Sequence, residues 1–299
     1  MLDSPTRTAQ SDRMIATMSR PAAGAGPAGH FDLPALLSQP YPAVMGVLNL
    51  TPDSFSDGGQ FTVPENALAQ ARRMVAEGAD IIDIGAESTR PYGSEPISAE
   101  EELSRLRPVL PDVVSLGVPV SIDSMKSSVV AWALDHGAAI TNDVWGLQRD
   151  SGMAGLVREH QVPVIIMHNR DSADPAIDIM KDIAAFFARS LDIAAKAGVS
   201  SGKIVLDPGI GFGKTPEQSM TVLARLDELQ SLGLPLLVGA SRKRFISTVT
   251  PSEPHQRLGG SIAAHLIAAK GGARIIRAHD VAETVQALRV AAAIGELQR

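Results

Sequence analysis

The feature that most constrains the fold is one alternation, repeated eight times. From about residue 41, short apolar runs rich in β-branched residues are each followed by a loop and a longer amphipathic or Ala-rich segment. The runs at 43–48, 80–85, 118–123, 139–142, 162–168, 203–207, 234–239 and 274–278 are expected to be strands. The segments 65–78, 99–116, 126–135, 153–160, 178–197, 216–232, 256–269 and 280–297 are expected to be helices. The strands are apolar nearly throughout, as a parallel sheet covered on both faces requires. Gly78, Gly117, Gly137, Gly233 and Gly272 stand where helices should stop before the next strand. Eight such units without an interdomain linker predict a single α/β domain, a (β/α)8 TIM barrel over residues 41–299. An open doubly wound sheet is the alternative, but no dinucleotide fingerprint follows the first strand.

Residues 1–40 read differently. The first 30 or so are rich in Ala, Gly, Pro, Ser and Thr with scattered Arg7, Arg13 and Arg20, the composition of a disordered extension. They lack the apolar core of a secretory signal, and Met14 and Met18 offer alternative starts. No run of 18 apolar residues marks a membrane span. A formal net charge of −6 argues against a general nucleic-acid binder. With no cysteine there is no disulfide, thiolate metal site or thiol nucleophile, which fits a reducing cytoplasmic setting.

In such a barrel the chemistry lies at the C-terminal ends of the strands. Those ends carry Asn49, Glu87-Ser88-Thr89-Arg90, Asp123, Asn142, His168, Asp207, Ser241-Arg242-Lys243 and Arg277-Ala278-His279. Single Asp, Asn or Ser residues there could simply cap helices or make turns. A set that includes Lys243, Arg90 and Arg277 has no such general reading. Arg277 and His279, one residue apart, are expected to share a direction and, with Lys243 and Arg90, to suit a phosphate or pyrophosphate. Structural ion pairs to Asp207, Asp123 or Glu87 are the competing reading. Asp123, Asn142 and Asp207 each close an apolar strand. Together they could read the donor and acceptor edges of a flat heterocycle such as a pterin, or hold a divalent ion through oxygens. The stretch from Asp207 to Thr215, Asp-Pro-Gly-Ile-Gly-Phe-Gly-Lys-Thr, fails as a nucleotide loop because Pro208 stands where the first glycine is required. Its glycines are expected to let the backbone approach a ligand, with Phe212 as an apolar wall.

Several strings, in order and spacing, resemble one enzyme family. They are Gly46-Val-Leu-Asn-Leu-Thr-Pro-Asp-Ser-Phe-Ser-Asp-Gly-Gly59, Glu87-Ser-Thr-Arg-Pro91, Ser121-Ile-Asp123, Asn142-Asp143, Asp207 to Thr215, Ser241-Arg-Lys243 and Arg277-Ala-His-Asp280. The resemblance is to dihydropteroate synthase, a pterin-binding TIM-barrel transferase of folate biosynthesis and a sulfonamide target, and it runs over about residues 43–297. It implies condensation of 6-hydroxymethyl-7,8-dihydropterin pyrophosphate with 4-aminobenzoate, giving 7,8-dihydropteroate and pyrophosphate. It further implies that Asp123, Asn142, Asp207 and Lys243 hold the pterin. Asn49, Arg277 and His279 would hold the pyrophosphate, with Mg2+ near Asn49. Thr89, Arg90, Pro91, Phe212 and Lys243 would frame the aminobenzoate. The catalytic set would be Asp123, Asp207, Lys243, Arg277 and His279, and the protein a homodimer through helices near the chain end.

Four departures from the family pattern stand out. Gln218-Ser219 replaces the commoner His-Asn, Tyr92 stands where glycine usually follows proline, the loop from Met167 to Asp174 lacks the usual Gly-Pro, and Ser247 occupies a usual glycine position after Arg-Phe-Ile. Two other functions compete with the synthase. A methyltransferase using methyltetrahydrofolate would share the pterin barrel but has no use for a pyrophosphate grip at Asn49, Arg277 and His279. A non-catalytic barrel would have lost reactive groups that this chain keeps.

Overall fold

In the computed structural model the described residues are 31–51, 63–87 and 96–297. Eight parallel strands close in sequence order: β1 (Ala43–Asn49), β2 (Ile81–Gly85), β3 (Val120–Asp123), β4 (Ile140–Asp143), β5 (Val164–Met167), β6 (Ile204–Asp207), β7 (Leu236–Val238) and β8 (Ala273–Ala278). β8 returns to β1 in the register Ala43 to Ile275 through Gly46 to Ala278, so the sheet has no free edge. The helices Val63–Ala76, Ser127–Asp135, Met153–His160, Ile179–Ala197, Leu258–Lys270 and Val281–Glu296 match the amphipathic segments to within two residues at each end. Among the described residues, no helix is long and apolar enough to cross a membrane.

Three expectations are revised. The segment 99–116 is two helices, Ala99–Leu106 and Leu110–Val114, with Pro108 between them and Pro111 in the first turn of the second. The segment 216–232 is an α-helix, Pro216–Ala224, continued by the 3-10 helix Leu226–Leu232. The boundary at residue 41 falls too late, because the short helix Leu33–Leu37 belongs to the barrel. Its Leu33 and Leu36 are buried against Met45, Ile81, Ile140, Ile165, Val205 and their neighbours, closing the N-terminal end of the barrel. Asp32 caps that helix by accepting the Ala35 N–H at 3.0 Å. Residues 1–30 of the extension expected over 1–40 lie outside the described residues.

Inside the barrel, side chains follow the two-residue period of a strand. Ile81, Ile140, Ile165, Val205, Leu237 and Ile275 form a buried apolar layer. Two residues further along the same strands stand Asp83, Asn142, Met167, Asp207, Gly239 and Arg277. One step of the period therefore turns the packed floor into a polar layer at the catalytic end. The five helix-ending glycines all adopt left-handed φ, from 69° at Gly233 to 99° at Gly78, a conformation that disfavours side chains.

Candidate active site

The polar layer opens into a cavity at the C-terminal mouth. Asp123, Asn142, Asp207, Phe212, Lys243 and Arg277 all line it, with Val144 and Met167 among the apolar walls. Six of the residues singled out from the sequence are thus brought together.

Asp83 is the residue that sequence reasoning missed. It is fully buried in the middle of β2 and accepts Arg277 Nε at 2.7 Å and Asn142 Nδ2 at 3.2 Å. Arg277 Nη2 donates to Asp123 Oδ2 at 2.9 Å. One guanidinium therefore bridges two carboxylates, and Asn142 is oriented by the same anchor. The available signal was a lone carboxylate inside Ile81-Ile82-Asp83-Ile84, which no exposed face explains. The ion pair to Asp123 expected as an alternative for Arg277 is present, and it leaves the remaining guanidinium N–H groups for a ligand.

Asp123 Oδ1 is buried with no hydrogen-bond partner, next to the cavity. Burial, reinforced by the neighbouring Asp83, pushes the Asp123 carboxyl up to about 7 despite Arg277. Burial likewise raises Asp207 to about 6, opposed by the Gly209 N–H that donates to its Oδ1 at 2.7 Å and by Lys243 and Arg277. Two carboxylates held near neutrality, one with an open oxygen, are poised for ligand N–H donors.

Lys243 extends over the Phe212 ring, its Nζ 4.0 Å from the ring centre. His279 is tied to the β7 loop. Its backbone N–H donates to Ser241 Oγ at 3.1 Å, and its Nδ1 meets the same hydroxyl at 3.0 Å. Burial and the nearby cations Arg277, Arg242 and Lys243 push the His279 imidazole down to about 3, so it is neutral near pH 7. Arg242 is paired with Asp280. Asn49 ends β1 partly exposed, opposite Gly85 on β2. Glu87 is engaged by Lys126 Nζ at 2.5 Å and accepts the Ile97 N–H at 3.1 Å. Thr89, Arg90 and Pro91 lie outside the described residues, as does the loop from Pro52 to Gly59.

His168 does not join the mouth. It is fully buried beneath the β6 loop, where its Nδ1 accepts Lys214 Nζ at 2.7 Å and its Nε2 donates to Asp182 at 3.0 Å. The glycines of that loop also serve a different purpose from the one expected. A Cβ on Gly209 would collide with the His168 carbonyl oxygen, and one on Gly213 with Arg170. They allow close packing of the β6 loop on the β5 loop. Only Gly211, 3.3 Å from Lys243 Cδ measured from a Cβ position, faces the cavity wall. Gln218 completes a capping box with Thr215 and donates to the Asp174 carbonyl at 2.7 Å. This departure from the family string therefore fastens the β5 loop, itself atypical, to the helix Pro216–Ala224.

Comparison with known proteins agrees with this layout. A family model described as pterin binding enzyme matches residues 45–279. The dihydropteroate synthase of Bacillus subtilis (strain 168) is 45% identical over 239 residues, covering 80% of this chain and 83% of the relative. The structure of the Xanthomonas albilineans dihydropteroate synthase with 4-aminobenzoic acid is similar at a TM-score of 0.83 and 43% identity, covering 87% of this chain and 94% of that one. The same organism's enzyme in complex with 7,8-dihydropteroate gives a TM-score of 0.80 at 42% identity, covering 87% of this chain and 95% of that one. With most of its length matched at this level, the chain belongs to the pterin-binding enzymes and, within them, to the dihydropteroate synthases.

Proposed function

We propose that this dihydropteroate synthase joins the dihydropterin methylene carbon to the amine of 4-aminobenzoate by ionisation first and nucleophilic attack second. The observation that carries the reading is the array Asn142–Asp83–Arg277–Asp123, with the open Asp123 Oδ1 beside the cavity. The pterin lies across this floor. Asp123 and Asp207 accept its N–H groups, Asn142 meets a mixed edge, and Lys243 donates to an acceptor.

The C–O bond to pyrophosphate breaks, and its electron pair leaves with the pyrophosphate oxygen. Arg277 and the neutral His279 donate hydrogen bonds to that departing group, aided by Asn49. Ionised Asp123 and Asp207 favour the cation left on the pterin. Phe212 and the Lys243 side chain over it frame the aminobenzoate ring, so that its amine faces the electron-poor carbon. Attack forms the C–N bond, and the proton released from nitrogen passes to the departed pyrophosphate or to solvent. Thr89, Arg90 and Pro91 complete the aminobenzoate side in this reading.

Mg2+ fits as a guest of the substrate. Among the described residues no three His, Asp or Glu side chains converge as a metal site, and Asn49 offers one amide oxygen at a partly exposed strand end. Mg2+ commonly takes one or two protein oxygens and fills its shell with water and phosphate oxygens. Bound there, it would neutralise charge on the leaving pyrophosphate. A homodimer in the cytoplasm completes the proposal. Ile267, Val290 and Ile294 are each more than half exposed on the last two helices, an apolar surface suited to a second copy.

Titration calorimetry with the dihydropterin pyrophosphate tests the site. Asp123→Asn is expected to weaken binding by about tenfold or more, because the amide turns one acceptor into a donor. Unchanged affinity in folded Asp123→Asn would refute the assignment.

A further inference from the structure

The deepest buried cation near the site takes no part in the chemistry above. Lys214 lies under the β6 loop, 7% exposed, with its Nζ donating to the Gly209 carbonyl at 2.8 Å, the Phe212 carbonyl at 3.1 Å and His168 Nδ1 at 2.7 Å. Three acceptors match the three protons of an ammonium. His168 must be neutral to accept, so its Nε2 proton points to Asp182 Oδ2 at 3.0 Å, and Asp182 also pairs with Arg170 Nη1 at 2.9 Å.

The line Lys214–His168–Asp182–Arg170 thus connects the β6 loop with the β5 loop and the first turn of the helix Ile179–Ala197. Two of its contacts fall on the segment that carries Phe212. Carbonyls on either side of Gly211 are drawn toward one ammonium, and the Phe212 N–H donates to Gly209 O at 3.1 Å, so the turn is closed from within. The Phe212 ring itself meets Lys243, whose Nζ lies 4.0 Å from its centre.

We infer that Lys214 is a positioning residue: with His168 and Asp182 it sets the height and tilt of Phe212, and so the aminobenzoate subsite, without touching substrate. The inference rests on the proposed assignment of Phe212 to aminobenzoate. A bland structural peg would make the same hydrogen bonds, so the test must separate the two substrates.

The experiment compares the full chain with Lys214→Met, Phe212→Ala and the double variant, using 4-aminobenzoate and the dihydropterin pyrophosphate. Lys214→Met is expected to raise KM for 4-aminobenzoate about tenfold, since small misplacements of a positioning group are costly. Calorimetric affinity for the dihydropterin pyrophosphate is expected to change by less than about twofold. The double variant should have the aminobenzoate KM of Phe212→Ala alone, because two residues acting through one contact are not additive. Multiplying effects, or equal loss for both substrates, would overturn the inference.

Asp182→Asn, at the half-buried end of the line, covers the case in which Lys214→Met does not fold. It should raise the aminobenzoate KM alone, by about threefold, and an unchanged KM would overturn the inference. A 4-fluorophenylalanine label at position 212 adds a readout that needs no turnover. Its fluorine resonance should shift or broaden in Asp182→Asn and Lys214→Met, and an unmoved resonance counts against the inference. Failure of the wild-type chain to form product would instead contradict the proposed function and leave the fluorine result standing.

Discussion

Arg277 on β8 reaches past β1 to Asp83 on β2, closing a 2.7 Å ion pair in the floor of the cavity. The pair is the hub of the site, since Asn142 leans on Asp83 and Asp123 leans on Arg277. Removing Asp83 leaves a buried cation with one counter-charge fewer. Asp83→Ala is expected to lower stability by about 3 kcal/mol in chemical denaturation. Asp83→Asn should cost less stability, yet weaken dihydropterin pyrophosphate binding by about tenfold through loss of Arg277 and Asn142 alignment. A folded Asp83→Asn protein with native affinity would show that Asp83 is only ballast.

Proton release accompanies pterin binding in this account. Asp123 at about 7 and Asp207 at about 6 are partly protonated in the free protein near pH 6.5. Ligand N–H donors favour the ionised forms, so binding expels protons and affinity rises with pH across that window. The sign for the free protein is opposite. These folded-state values lie above the ordinary carboxylate range, so the contribution of these two carboxyls to ligand-free stability declines as pH rises from about 4 toward 7, against the opposite contribution of His279, held down at about 3. Calorimetry in buffers of different ionisation enthalpy reads the release directly. Proton uptake would contradict the assignment.

The barrel floor depends on residues just before β1. Leu33 and Leu36 are 3% and 7% exposed at the N-terminal end. Leu33→Ala and Leu36→Ala should each destabilise by about 2–5 kcal/mol, with little change in substrate affinity for protein that remains folded. Melting temperature and calorimetric affinity separate the two effects. Loss of affinity in step with stability would mean that the floor also shapes the mouth.

The apolar surface of the last two helices has its own test. Ile267→Glu with Ile294→Glu should convert a dimer to a monomer in light scattering coupled to size exclusion, because a buried unpaired carboxylate opposes association. A monomeric wild type would remove the dimer from the account.

The barrel was legible because the strands are apolar nearly throughout and each is followed by an amphipathic or Ala-rich segment, so period and punctuation agree. Asp123, Asn142, Asp207, Lys243 and Arg277 were legible because a strand end has no reason to carry buried charge. Asp83 was not, because the same logic ignored the strand interior, although it stands one residue beyond Ile82 from the buried Ile81, on the same inward stripe. The role of Lys214 was not legible, because its partner His168 is 46 residues away and no local pattern reports that contact. The helix Leu33–Leu37 escaped because five residues are too few for a period. The split at Pro108 was visible in the sequence and was overridden by the amphipathic pattern around it.

The most direct test of the central claim is simultaneous measurement of pyrophosphate and 7,8-dihydropteroate from purified chain, Mg2+, the dihydropterin pyrophosphate and 4-aminobenzoate. The account predicts equal amounts of both products, dependent on both substrates, with kcat/KM reduced by about 10²-fold or more in Lys243→Ala and Arg277→Ala. Tight pterin binding without either product, or turnover unchanged in folded Arg277→Ala, would contradict it.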